Sequence, residues 1–265
     1  MRLVIALISF VALALALAVL ASGPGTRFGL WDYGTGLTII RKVAEPIAIG
    51  GVVKLSPIFT AAALALLGAF ASLFMRAWAL ALLALIAAAG AGAGGYVPLK
   101  MRAMVQANPF IHDVTTDFES PPEILAAANM PRKNPPAYAG ADLVRDTQMT
   151  VAQAQRESFP DIAPFIAEAD LQTTANAVRA TISDMRMETL AEGPVSGDTG
   201  SGWRIEAVST SLWFGFKDDF IVRLTPVSAT QTRVDVRSKS RVGGSDLGAN
   251  AARVRAFMEK LDAAI

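Results

Sequence analysis

Cysteine is absent and histidine occurs once, at His112, among 265 residues. The first absence excludes a disulfide framework, a thiolate metal site and a cysteine nucleophile. The second excludes a metal centre built on several imidazoles. Charge is also scarce, at 18% of residues, where a soluble chain carries about 25%. The scarcity is local. Residues 1–99 hold six Lys/Arg (Arg2, Arg27, Arg41, Lys42, Lys54, Arg76) and two acids (Asp32, Glu45), net +4. Residues 100–265 hold 18 Lys/Arg and 21 Asp/Glu, net −3. This division excludes a single soluble domain, and a 52% hydrophobic composition excludes disorder. The hydrophilic half is slightly acidic, so nucleic acid is not expected as a partner.

What is abundant in residues 1–99 is long apolar runs. Leu3–Ala21 carries no charge and approaches the roughly 20 residues a spanning helix needs. Val19-Leu20-Ala21 also looks like a signal-peptide cleavage pattern, but the run exceeds the usual signal core of about 7–15 residues; an uncleaved anchor is favoured. Pro57–Met75 and Ala77–Pro98 read as two further spans forming a hairpin with Arg76 at its tip. Gly90, Gly92, Gly94 and Gly95 lie in the third, where small residues let helices approach closely. The chain is thus divided into a membrane region over 1–99, with spans at about 3–21, 57–75 and 77–98, and a polar domain over 100–265. The lipid bilayer is the first partner this implies. Between spans one and two, Thr35–Ile49 has Leu37, Ile40, Val43, Ala44 and Ile47 at helical spacing. That pattern suits an interfacial amphipathic helix, or a simple connector. Three spans place the two ends on opposite sides. The basic residues of 22–56, with Lys100 and Arg102, favour a cytoplasmic polar domain by the positive-inside rule, whereas the signal-like start favours the reverse.

The polar half opens with a proline-rich stretch (Pro109, Pro121, Pro122, Pro131, Pro135, Pro136), extended or turning because proline fixes φ and removes a donor. Ile111–Thr116 reads as a short strand within it. Pro160 and Pro164, with Asp161, precede a helix predicted over 164–180. Strands are predicted over 181–190, 203–214, 219–227 and 232–241, with turns at 192–202, at Lys217-Asp218 and at 228–231; short connections imply an antiparallel meander. Alternation puts Val234, Val236, Ser238 and Ser240 on one face and Asp235, Arg237, Lys239 and Arg241 on the other. Arg204, Glu206 and Arg223 join that charged face. A final amphipathic helix spans about 246–264, with the stripe Leu247, Ala251, Val254, Met258, Leu261, Ile265 and an N-cap at Ser245. The fold class is therefore α+β: transmembrane helices, then an antiparallel sheet of about four to five strands packed by helices, one of them long and C-terminal.

Candidate chemistry is sparse. His112-Asp113 with Asp117 and Glu119 could ligate a divalent metal, but a histidine beside an aspartate is more often a structural hydrogen-bonding pair, and no metal is expected. Asp218 and Asp219 are adjacent in an extended chain and point to opposite faces, so they cannot form a shared dyad; a turn role is favoured. Ser238, Ser240 and Ser245 have no base nearby in sequence, and neither a Gly-x-Ser-x-Gly elbow nor a Walker loop occurs. Arg237 and Arg241 would form an anion site with the helix start at Ser245 if the three converge. Otherwise Arg223, Asp235, Arg237 and Asp219 form a salt-bridge lattice holding the sheet to the last helix. Asp161, Asp246 and Asn250 complete the candidate polar cluster. No catalytic residue and no cofactor follows from these patterns.

Several of these segments together resemble one family: His112–Asp117, Phe159–Ile162, Gly215–Asp219, Val234–Gly243, and Ser245–Asn250 leading into Arg253-Val254-Arg255. The chain resembles the domain of unknown function 1499 family over about 108–263. The family's aromatic before Pro160 is usually tyrosine; here it is Phe159, which lacks the hydroxyl. Membership among bacterial membrane proteins and chloroplast lumen proteins implies an extracytoplasmic domain, and this turns the expected orientation toward the periplasm. The resemblance brings no activity, substrate or cofactor. Three functions are then weighed. The first is a non-catalytic module binding a lipid, a small anionic ligand or a partner; sheet followed by long helix is an order similar to helix-grip lipid-binding folds, with a cavity under the helix. The second is a hydrolase using the Asp/Arg cluster. The third is an assembly role through a membrane-protein partner. The first is favoured.

Overall fold

The structure, a computed structural model, describes residues 1–49, 53–195 and 202–265. Two compact units are distinguished: Met1–Ala103 with Leu212–Gly215, and Met104–Ser211 with Phe216–Ile265.

In the first unit, α1 (Arg2–Arg27), α3 (Pro57–Phe74) and α4 (Trp78–Ala107, its last turn in the second unit) are each long and apolar enough to cross a membrane. α1 and α4 overrun the predicted spans. Both continue through a proline, Pro24 and Pro98. The small residues act by close approach: a Cβ on Gly68 would lie 2.8 Å from Ile5, and one on Gly95 2.6 Å from Phe59. Leu3, Leu7, Phe10, Leu17 and Leu20 are exposed on α1. Arg76 turns the α3–α4 hairpin with φ +53°. The amphipathic helix over 35–49 is shorter than expected. It is α2 (Tyr33–Ala44), capped by Asp32, whose carboxylate accepts from Thr35 N at 2.8 Å. Pro46 follows at once, and the chain becomes β1 (Ile47–Ile49), antiparallel to β2 (Val53–Leu55).

The second unit is a six-stranded antiparallel sheet with helices. Its elements are β3 (Asp113–Thr115), α5 (Val151–Ser158), β4 (Phe165–Ala167), α6 (Leu171–Asp184), β5 (Glu188–Val195), β6 (Gly202–Thr210), β7 (Lys217–Pro226), β8 (Thr232–Ser240) and α7 (Ala249–Asp262). Strand order is β3-β8-β7-β6-β5, and β4 also pairs with β8, beside β3. The predicted meander is present in β6, β7 and β8. The helix predicted over 164–180 is displaced: 165–167 pairs with β8, and the helix starts where Asp170 accepts from Thr173 N at 2.8 Å. An Asx cap outweighs proline as a start signal here. The strand predicted over 181–190 is present but displaced toward the C-terminus, since α6 runs to Asp184 and β5 opens at Glu188. Of the expected 192–202 turn, residues 196–201 lie outside the described residues. Lys217-Asp218 is not a turn but the start of β7; residues 211–216 make the connection. α5 was not foreseen; Thr150 and Gln153 close a reciprocal capping box on it.

The sheet's first face is apolar. Phe220, Val222, Leu224, Val234 and Val236 are fully buried there, with Ala251, Val254, Phe257 and Leu261 of α7 in the same core cluster. Phe257 replaces Met258 as the main contact: its ring meets Phe220 edge-on, centroids 5.0 Å apart. The space expected to be a cavity under the helix is thus filled at this point. α7 begins later than predicted, after Gly248 at φ +84°. Ser245 is therefore not its N-cap.

Candidate functional site

The second face of the sheet is charged, and it is covered. Register places Arg237 beside Thr115 and Ile221, Lys239 beside Asp113 and Asp219, and Asp235 beside Arg223. The proline-rich stretch supplies partners to these side chains. Asp113, Arg237 and Lys239 are 0%, 2% and 1% exposed. Arg237 donates to both oxygens of Asp113 at 2.9 Å, and Lys239 Nζ donates to Oδ2 at 2.9 Å. Ala139 N adds a fourth bond to that carboxylate at 3.0 Å. The remaining donors go to backbone: Arg237 to Pro122 O (3.2 Å) and Pro136 O (3.0 Å), Lys239 to Ala137 O (2.6 Å). An extended proline segment offers carbonyls without competing N–H groups, which suits it to cover guanidinium groups.

Burial alone would push the Asp113 carboxyl up; the hydrogen bonds and charge of Arg237, with Lys239, outweigh it and hold the group below its ordinary value. Burial pushes the Lys239 ammonium down despite Asp113. Burial, then the Lys239 charge, likewise lowers His112. The His112 carbonyl accepts from Ser240 N at 2.9 Å and Asn250 Nδ2 at 3.1 Å.

Three further groups pin the same face. Asp219 pairs with Arg241 (2.7 Å) and Arg132 (2.9 Å). Asp235 and Asp117 share Arg223 and Arg233 at 2.9–3.1 Å. Glu206 accepts the backbone N–H groups of Leu125, Ala126 and Ala127 at 2.9–3.3 Å. The expected lattice of Arg223, Asp235, Arg237 and Asp219 is present only in part: Arg223 pairs with Asp235, while Arg237 pairs with Asp113 and Asp219 with Arg241 and Arg132. It joins the sheet to the proline-rich cover, however, and not to the last helix.

The other predicted residues lie on the helix side. Asp218 pairs with Arg253 at 2.6 Å. Ser238 donates to Asn250 Oδ1 at 2.7 Å, and Asn250 donates to Ser240 Oγ at 3.0 Å. Asp246 accepts from Gly248 N and Asn250 N at 2.8 and 2.9 Å, and burial raises its pKa despite those bonds. Asp218 and Asp219 do point to opposite faces. Arg237 and Arg241 belong to the covered face while Ser245 precedes α7, so the three do not converge. Asp161 stands apart and half-exposed, bidentate to Arg255 at 2.5 and 2.7 Å; the Arg255 guanidinium also lies 5.0 Å from the Phe159 ring. His112, Asp113, Asp117 and Glu119 are not assembled for a metal: among the described residues no group of three or more His, Asp or Glu is placed to hold one.

Sequence reasoning missed Tyr138, Gln155, Arg132 and Arg233. Gln155 is fully buried and continues the sheet edge, its amide bonding Thr115 N (3.0 Å) and O (2.6 Å). The capping box at Thr150 was the available signal for its helix. Tyr138 lies with Arg237 5.4 Å above its ring, and its hydroxyl is buried without a hydrogen-bond partner. Beside them opens a cleft of about 380 Å³, walled by Pro121, Ile124, Leu125, Pro136, Tyr138 and Arg237, with Glu123 also lining it.

A family model described as Protein of unknown function (DUF1499) matches residues 113–261. The chain belongs to this family. The DUF1499 region begins at Asp113, the acid of the buried triad, and ends at Leu261, the last core residue of α7. Its motifs fall on the polar networks: His112–Asp117 on β3, Gly215–Asp219 at the start of β7, Val234–Gly243 on β8 and Ser245–Asn250 on the turn into α7. No curated protein matches the chain.

Proposed function

We propose that this DUF1499 protein is a membrane-held binding module, its polar domain non-catalytic and facing the periplasm. The observation supporting it is that the carboxylates of the covered face, Asp113, Asp117, Glu206, Asp219 and Asp235, are each held by cations or backbone amides. A general base must reach a substrate proton; these groups are spent on closing the cover. The cleft beside Arg237 and Tyr138 is then the place for a ligand, a lipid or small anion, and the apolar helices are a surface for a membrane-protein partner. The test is native mass spectrometry of the full chain extracted from membranes, beside a hydrolase substrate panel. A small molecule retained by the wild type and lost from Leu125→Trp supports binding. Turnover abolished by Asp219→Asn with thermal unfolding unchanged replaces this reading with an enzyme.

A further inference from the structure

The charges behind the cleft do not balance. Asp113 is one acid for two cations, Arg237 and Lys239, all three within 2% of complete burial. Asp219 is likewise one acid for Arg132 and Arg241. Asp117 and Asp235 match Arg223 and Arg233 one for one. Buried charge is costly unless paired, and here carbonyl oxygens of Pro122, Pro136 and Ala137 stand in for the missing anion. The cleft is a place where an anion from outside could approach the Asp113 triad, because Arg237 forms part of its wall. Tyr138, on the same wall, has a buried hydroxyl with no acceptor, although buried polar atoms nearly always find one. Apart from Glu123, the remaining wall is apolar: Pro121, Ile124, Leu125, Pro136 and Ala137.

Taking the module to be a ligand binder, as above, we propose that this cleft takes a monoanionic amphiphile: one carboxylate-like headgroup set between Tyr138 and Arg237, with a short hydrocarbon chain on Ile124 and Leu125. One negative charge completes the triad, and the headgroup accepts from the tyrosine hydroxyl. Glu123, exposed at the cleft, opposes the ligand's charge.

The experiment is equilibrium dialysis of labelled octanoate against the full chain in nanodiscs of zwitterionic lipid, with empty nanodiscs subtracting bilayer uptake. Saturation at one site per chain is expected. Acetate, the headgroup alone, should compete poorly, and octan-1-ol, the chain alone, likewise. Tyr138→Phe removes an unsatisfied hydroxyl, so it should not lower the unfolding temperature, yet it should weaken octanoate binding by about tenfold. Glu123→Gln should tighten binding, and Leu125→Trp, at a position 49% exposed, should block it while the protein stays folded. Octanol competing as well as octanoate would overturn the anion and leave a neutral-ligand module standing. Acetate competing as well as octanoate would overturn the amphiphile in favour of a small soluble anion. No saturable octanoate site, or one untouched by Tyr138→Phe and Leu125→Trp, would overturn the proposal outright, while a different molecule retained in native mass spectrometry would keep the binding module.

Discussion

Asp113 organises the covered face because four donors converge on one carboxylate. Asp113→Asn keeps the shape and removes the charge, leaving Arg237 and Lys239 buried without a counter-ion; breaking a buried pair this way costs about 3–5 kcal/mol. Urea unfolding of the full chain in detergent should show that loss. The pH response follows from the same geometry. A carboxyl held below its unfolded value contributes stability that is present above the unfolded pKa, near 3.9, and disappears as pH falls through the folded one. Asp246 has the opposite sign: burial raises it, so its contribution is complete below the unfolded pKa and is lost as pH rises through the folded value. Thermal unfolding followed from pH 3 upward should therefore show a shallower acid-side slope in Asp113→Asn, with Asp117 and the other carboxylates held low keeping the rest, while Asp246→Asn should flatten the decline on the alkaline side of about pH 4.

Elements show which physical signals were legible. Period-two alternation in β6, β7 and β8 assigned both faces correctly, because register in a sheet with one apolar face is strongly specified. The short edge strands β3 and β4 are three residues each. At that length alternation is not a signal, so β4 was absorbed into a helix. The cover over 117–142 was unreadable for another reason: it has no period, and it is fixed by side chains 80 to 120 positions away, such as Glu206 on the amides of 125–127. An alternating charged face reads as solvated; nothing local says that a proline segment will bury it. The charged candidates were thus found by type and their burial was not. Glu206→Gln tests the cover as an element. An amide has one accepting oxygen for three N–H groups, so about 1–3 kcal/mol is lost, and hydrogen exchange should quicken at Leu125, Ala126 and Ala127 while β7 stays protected. Phe257→Ala tests the opposite layer. Truncating a phenylalanine at 0% exposure against Phe220 should cost about 3–5 kcal/mol in thermal or urea unfolding.

At the scale of the molecule, the net charge changes sign along the chain, +4 over 1–99 and −3 over 100–265, and orientation is where the signals conflict. The basic residues Arg27, at the end of α1, and Arg41, Lys42 and Lys54, between α1 and α3, would by count alone hold that side in the cytoplasm. α1 opposes this. Its window has a mean hydropathy of 3.1, against 2.0 for α3 and 1.9 for α4, and the first helix usually dominates insertion. Two of the four basic residues, Arg41 and Lys42, lie in the last turn of an amphipathic helix, where they favour the helix dipole and an interfacial position as much as one side of the membrane. Under the periplasmic orientation proposed above, a helix that apolar, with Arg2 behind it, would carry residues 22–56 across, and α3 and α4 would return and cross again to leave the polar domain outside. The expected outcome is that alkaline phosphatase fused after Ile265 is active in intact cells and β-galactosidase at the same point is not. Arg2→Glu should reduce the phosphatase signal, because it removes a positive charge from the retained end of α1; an active β-galactosidase fusion in the wild type would instead assign the orientation to the basic loop and place the polar domain in the cytoplasm.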